Sequence, residues 1–210
     1  MAQRRVAAQL ARITATLPAK PTVVANLGSG GNDFDCAADL HIHIDLVSNR
    51  IRNKVAIVAD VEQVPLRDAS VDFVLCVGGV LNHGDAQKMI GEIARILSAQ
   101  GLAVIEFDCV DGLHHRPAFP QRDSAVVDTF FNGRRLSFTE YSRAYIEREL
   151  QSKGLRIEYR YSFHILSALM LRFAVYPSIA AMLVYCDFFA RLLEPLRYRG
   201  SNLLMVARRI

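Results

Sequence analysis

The chain is expected to fold as a doubly wound α/β domain, with a largely parallel central sheet and helices on both faces. Three observations predict this. Short apolar runs alternate with amphipathic stretches along the chain, the rhythm of strand, turn and helix that builds parallel sheets. Several of those runs end in glycine or aspartate, which puts turns and carboxylates along one edge of the sheet. Finally, 210 residues with 51% hydrophobic and 22% charged side chains suit one domain, residues 1–210, and do not fit a disordered chain or a secreted miniprotein.

Val6 to Leu17 reads as an amphipathic helix that Pro18 and Pro21 end. Thr22 to Leu27 is a β-branched run leading straight into Gly28, Ser29, Gly30 and Gly31, a strand feeding a glycine turn. His41 to Leu46 alternates around Ile42 and Ile44 and reaches Asp45, and Val55 to Ala59 is an apolar run that reaches Asp60. Phe73 to Val77 has the pattern of a buried strand. Asp85 to Leu97 presents Met89, Ile90, Ile93, Ala94 and Leu97 on one helical face, Gly101 stops that helix, and Leu102 to Phe107 is the fifth strand. Thr139, Glu140 and Arg143 open a helix to about Lys153, ended by Gly154. Leu155 to Tyr161 and Leu203 to Ala207 complete seven strands.

A net charge of +4 comes from scattered basic residues, with no Lys/Arg stripe interleaved with aromatics, so no nucleic-acid partner is expected. The Arg pairs at 4/5, 134/135 and 208/209 read as solvated ends. Cys36, Cys76, Cys109 and Cys186 stand apart, without a Cys-x-x-Cys pair or histidines at zinc spacing, and read as buried thiols of a reducing compartment. Met1 to Lys20 has helical periodicity rather than a signal-peptide block, which makes a cytoplasmic start the expectation.

The polar residues at strand ends suit a nucleoside. Gly28 and Gly30 let backbone turn sharply and approach a ligand, Asp45 is spaced to accept from ribose hydroxyls, and Asp60 can accept from an exocyclic amine while the Val61 N–H donates to a ring nitrogen. Each piece is common alone, as a plain turn or a helix cap. Their order between Val23 and Cys76 is not.

The segments Asn26-Leu27-Gly28-Ser29-Gly30-Gly31-Asn32, Ile42-His43-Ile44-Asp45 and Ala59-Asp60-Val61-Glu62-Gln63-Val64-Pro65-Leu66 resemble the glycine, acidic ribose and adenine motifs of class I S-adenosylmethionine-dependent methyltransferases. Asp68 to Cys76 with Leu81-Asn82-His83, then Glu92 to Leu97 with Gly101 to Glu106, are similar to the fourth strand, helix and fifth strand that follow. The resemblance runs from about Val23 to Phe107. It implies a Rossmann-like, seven-stranded mixed sheet whose last strand is antiparallel, and S-adenosylmethionine as cofactor. It also implies roles: Asn26, Gly28, Ser29 and Gly30 at the methionine portion, Asp45 with Leu46 at the ribose, Asp60 and Val61 at adenine, and Cys76, Val77 and Gly78 to Gly79 as the floor beside the sulfonium. Asn26 stands where the family usually has an acid, Asn32 where a third glycine is common, and the helix after the glycine turn is short or absent.

Methyl transfer from a sulfonium needs alignment and exclusion of water more than covalent help. A hydroxyl or amine acceptor can need a proton acceptor, and His83, His114 and His115, which follow the fourth and fifth strands, are the candidates. Because adjacent histidines diverge unless the loop bends, no metal site is expected from His114 and His115. Residues 163–195 are strongly apolar, broken by Arg172, Pro177 and Asp187. A membrane span there would put two neighbouring strands on opposite sides of a bilayer. Two helices split at Pro177 are expected instead, as a cap over the acceptor, a homodimer face or an in-plane membrane contact that would suit a lipid-linked or otherwise apolar acceptor; the function expected is methyl transfer to a small-molecule or lipid-linked acceptor. Two other readings stay open: a catalytically silent binding subunit, motivated by Asn26 and the apolar segment, and an NAD(P)-dependent oxidoreductase, disfavoured because Asp33 occupies the third glycine position of G-x-G-x-x-G.

Overall fold

The structure is a computed structural model, and it describes residues 2–17, 20–34, 36–115, 122–131, 133–172 and 186–210. Helix α1 (Ala2–Ala15) precedes β1 (Val23–Leu27), β2 (Leu40–Asp45), β3 (Ala56–Val58) and β4 (Val71–Cys76). Then come α2 (Ala86–Ile96), β5 (Leu97–Asp108), a hairpin of β6 (Ser124–Phe131) and β7 (Arg134–Tyr141), α3 (Arg143–Ser152) and β8 (Leu155–Phe163). Helices α4 (Ile165–Arg172) and α5 (Asp187–Leu192) lead to β9 (Asn202–Arg209).

Seven strands form one sheet in the order β3-β2-β1-β4-β5-β9-β8. The first five run parallel, and β9 is antiparallel to both its neighbours. The doubly wound mixed sheet expected from the sequence is therefore the fold observed. Period-2 alternation explains why its centre stays dry on both sides. Val74 and Cys76 of β4 pack with Ile90 and Ile93 of α2 and Ile146 and Leu150 of α3. Phe73, Leu75 and Val77 pack with Val6, Leu10 and Ile13 of α1. Burial of each such large side chain is worth about 1.5–3 kcal/mol against leaving it in water.

Helix α2 begins where Asp85 accepts from the Gln87 and Lys88 amides at 3.0 and 3.3 Å, satisfying donors that a helix start leaves free. It ends at Ile96, not at Gly101. Leu97 turns extended (ψ 135°), is fully buried, and pairs with Val71, so β5 starts five residues before the expected strand. Burial of Leu97 outweighs its helical periodicity.

The sequence reading differs in a second place. Thr139 and Glu140 lie in β7, and α3 starts at Arg143 with Ser142 as its cap, whose Oγ accepts from the Tyr145 amide at 3.1 Å. The β6–β7 hairpin was not expected at all. It is held to the sheet by Asn82, whose Nδ2 donates to the Thr139 carbonyl (2.7 Å) and the Asp108 carbonyl (3.0 Å) while its Oδ1 accepts from the Asp108 amide. A tertiary partner thus draws Thr139 into a strand.

Between Leu27 and Leu40 none of the described residues is helical, as the short spacing implied. In the apolar segment, β8 extends through Phe163, and α4 and α5 account for parts of the rest. Pro177, with all of 173–185, lies outside the described residues, and so does the expected split there. Asp187, which interrupts the apolar run, is buried. Its carboxylate accepts from the Leu166 amide (3.0 Å) and pairs with Arg5 (3.4 Å), tying α5 to α4 and α1. Among the described residues no helix is long and apolar enough to cross a membrane.

Candidate functional site

In the order β3-β2-β1-β4-β5 the chain reverses direction of winding between β1 and β4, and a crevice opens beyond their carboxyl ends. On the β1 side, Gly28 (φ 62°) and Gly30 (φ 55°) are left-handed, a conformation that glycine adopts without strain. The turn is clamped to β2: the Gly28 amide donates to the Ile44 carbonyl (2.7 Å), and the Gly30 amide donates to Asp45 Oδ2 (2.8 Å). The other Asp45 oxygen accepts from the Val47 amide at 2.8 Å. Asp45 thereby joins the tips of two strands. A Cβ on Gly28 would stand 2.5 Å from Val80 Cγ2. Gly28→Ala is therefore expected to cost about 2–4 kcal/mol of stability, from left-handed strain and overpacking together, and to weaken nucleoside binding. Chemical unfolding and ligand titration check both effects.

On the β4 side, Gly78 (φ 89°) and Gly79 (φ 71°) turn their amides onto one buried carboxylate oxygen, Glu106 Oε2, at 2.7 and 2.9 Å. Asn202 donates from Nδ2 to Glu106 Oε1 (3.0 Å) and to Asp108 Oδ1. The antiparallel register explains the meeting, since Asn202 opens β9 directly opposite Asp108, the last residue of β5. Burial pushes both carboxyls up, Asp108 to about 7, with the charges of Glu106 and Glu140 adding to the rise.

These groups face one cleft of about 600 Å³, lined by Gly28, Ser29, Gly30, Val77, Gly78, Gly79, Glu106, Asp108 and Asn202, with Asn32, Phe34, Val6 and Arg50 on the near wall. That volume suits a cofactor-sized ligand. At Gly30 and Gly78 an added Cβ would meet nothing within 4 Å, so side chains there would project into open space. Glycine leaves room where a ligand's body has to pass.

Of the residues expected at a cofactor, Gly28, Ser29, Gly30, Val77 and Gly78 come together on the cleft wall. Asn26 and Cys76 lie buried behind it, and Asp45, 7% exposed, adjoins it through the Gly30 amide. Asn26 uses its amide to hold the Asn32 carbonyl (2.6 Å), and its Oδ1 is buried without a partner. The Cys76 thiol packs in the α2 face of the core, where burial raises it to about 12. Leu46 is exposed at the tip of β2, Asp60 is exposed just past β3 with Oδ1 accepting the Glu62 amide (2.9 Å), and Val61 is buried beside it.

His83 is exposed on a 3-10 turn, its ring 6.2 Å from Phe138, and it does not line the cleft. His114 and His115 do not diverge as adjacent histidines were expected to. A turn at Gly112, whose amide donates to the Cys109 carbonyl, brings their ring centroids to 3.9 Å, with both Nε2 atoms toward Glu140. Sequence reasoning gave no role to Glu106, Asp108, Asn202 and Arg50. For the first two the signal was present: carboxylates two apart at the end of an apolar strand share a face.

Residues 29–105 match the model of the methyltransferase domain family. Over nearly its full length the fold is similar to solved structures. One is a Listeria monocytogenes protein assigned to the S-adenosylmethionine-dependent methyltransferases (TM-score 0.69, 14% identity, covering 98% of this chain and 99% of that one). A second is an S-adenosylmethionine-dependent methyltransferase from Mesorhizobium loti (0.63, 17%, 96% and 98%). A third is the Burkholderia thailandensis 1,6-didemethyltoxoflavin N1-methyltransferase, solved with its substrate and S-adenosylhomocysteine (0.58, 16%, 99% and 78%). At these identities the likeness is one of fold. No curated protein matches the chain.

Proposed function

We propose that this chain, whose residues 29–105 match the methyltransferase domain family, is a class I S-adenosylmethionine-dependent methyltransferase, that its cofactor lies across the tips of β1 and β4 and that its acceptor is a small molecule or a lipid-linked one standing over Asp108. The observation that carries this reading is the single cleft, which joins the glycine turn, the β4 tip and the Glu106–Asn202–Asp108 group. When bound, S-adenosylmethionine supplies a methyl group already activated on a sulfonium.

The chain's own part is to hold, orient and dry that cleft. Each Asp45 oxygen takes one backbone N–H and keeps further acceptor capacity, which suits it to ribose hydroxyls. Arg50 is the cation among the described lining residues and suits a carboxylate. Glu106 sets the β4 tip through two amides. Asp108 Oδ2, on the side of Gly79, is free to take the proton that a hydroxyl or amine acceptor releases as it gains the methyl group. A lipid-linked acceptor is supported by α5, which exposes Phe188, Phe189 and Leu192.

Melting curves test the cofactor. S-adenosylhomocysteine at about a hundred times its Kd stabilises the folded state by about 2.7 kcal/mol, a rise of roughly 5–10 °C for a chain of this size. No rise is expected with NAD. The opposite pattern overturns the proposal in favour of an oxidoreductase.

A further inference from the structure

We infer that His114, His115 and Glu140 form a binding site for one divalent transition-metal ion of the zinc class, next to the acceptor end of the cleft. The role given to the ion rests on the proposed cleft; the binding itself does not.

The three ligands come from two elements that the fold clamps together. Glu140 sits near the end of β7, which Asn82 ties to the sheet, and only 5% of its side chain is exposed. His114 and His115 follow β5 on a turn fixed by the Gly112 amide on the Cys109 carbonyl and the Leu113 amide on the Arg199 carbonyl. A side chain at Gly112 would strike the His114 ring at 2.5 Å, so glycine is what lets that imidazole fold inward.

Both Nε2 atoms point at one carboxylate. His115 Nε2 is 2.5 Å from Glu140 Oε2, and His114 Nε2 is 3.6 Å from Glu140 Oε1. All three donor atoms lie within 4.8 Å of one another. Zinc–ligand bonds of about 2.0–2.2 Å at tetrahedral angles place ligand atoms about 3.3 Å apart, so shifts of about an ångström bring these around an ion.

The His114 ring supplies an independent sign. Its Nδ1 is buried with no hydrogen-bond partner, and its Nε2 is too far from Glu140 for a hydrogen bond. A largely buried imidazole whose Nδ1 has no partner and whose Nε2 meets its carboxylate only at ion-pair distance leaves room for a ligand between the two side chains. Two imidazoles and a carboxylate select zinc, iron or cobalt over magnesium or calcium, which prefer oxygen alone. Three protein ligands also leave positions open, as in catalytic rather than structural sites. Asn82 holds the Asp108 and Thr139 carbonyls together and Cys109 bridges to Tyr141, so the residues flanking Glu140 lie against the end of β5 that carries the cleft's carboxylate, and an oxygen or nitrogen of the acceptor held by the ion stands near it. A second trio, Asp33, His41 and His43, is a weaker host, because the Lys54 ammonium already pairs with Asp33.

The test titrates the chelator-stripped full chain with Zn²⁺ alone by calorimetry, and with Co²⁺ alone followed by visible absorption. One ion per chain is expected, with affinity reduced on the order of 100-fold or more in His115→Ala and Glu140→Gln, and with melting temperature and S-adenosylhomocysteine affinity retained. Should Glu140→Gln not fold, His114→Ala carries the same expectation. The inference is overturned if the wild type binds no stoichiometric zinc, or if His115→Ala binds it as well as wild type and His41→Ala does not. Absence of zinc binding in a chain that still binds S-adenosylhomocysteine defeats this inference alone. Loss of the nucleoside with zinc retained defeats the cofactor reading instead.

Discussion

Asp108→Asn is expected to lower the rate of methyl transfer by about 10² to 10⁴, with affinity for S-adenosylhomocysteine changed by no more than about twofold. Asn202 donates to Oδ1 of this residue, an oxygen that asparagine keeps. What asparagine lacks is a second oxygen able to take a proton. Incorporation of labelled methyl into an acceptor fraction of cell extract reads the rate, and calorimetry reads the affinity. Because burial lifts the Asp108 carboxyl to about 7, wild-type kcat/KM should climb with pH to a plateau, half-reached at about pH 7, and the variant should lack that step.

The same shift has a signature in stability. The Asp108 carboxyl titrates at 3.8 when unperturbed and at about 7 in the fold. Between those values the folded protein holds a proton that the unfolded chain has released, so stability falls as pH rises from about 4 to about 7 and is flat above. Asp108→Asn removes that contribution to the slope. The variant should melt higher than wild type at pH 8, with the gap narrowing below pH 7 and closing by about pH 4. A residue that lowers stability while serving the reaction is an expected trade at a site.

The second large effect belongs to Asp45→Ala, which should weaken S-adenosylhomocysteine binding by about 10² to 10³. Two losses combine. The carboxylate leaves the ribose without charge-assisted acceptors, each worth about 1.5–3 kcal/mol. The Gly30 and Val47 amides also lose their common partner, so the turn that shapes the cleft loosens. Asp45→Asn, which keeps one acceptor oxygen, should fall between the two. Asp60→Ala, at an exposed residue whose carboxylate accepts only from its own turn among the described residues, should cost less than Asp45→Ala. Calorimetric titration beside a melting curve separates lost binding from lost fold.

Much of this is legible in the sequence because it is local. Gly28, Gly30 and Asp45 each stand at the end of a β-branched or alternating run, and the structure joins them within one strand–turn–strand unit, the Gly30 amide and Asp45 lying 15 residues apart. The last two strands are also readable, β8 because apolar Leu155, Ile157, Tyr159 and Tyr161 alternate with polar residues and β9 as an apolar run. The other half of the cleft depends on long-range pairing. Asn202 lies 94 residues from Asp108 and reaches it only through the antiparallel register of β9 against β5, which no short pattern encodes. Glu140 was hidden for another reason. Thr139, Glu140 and Arg143 imitate a helix start, while Asn132-Gly133, a strong hairpin signal, sits between two alternating runs and shows what the segment is.

The most direct measurement is a crystal structure of the chain with S-adenosylhomocysteine. The account predicts its thioether between Gly28–Gly30 and Val77–Gly79 and its ribose hydroxyls within hydrogen-bond distance of Asp45. A nucleoside bound away from the β1 and β4 tips, or one whose ribose makes no contact with Asp45, contradicts it.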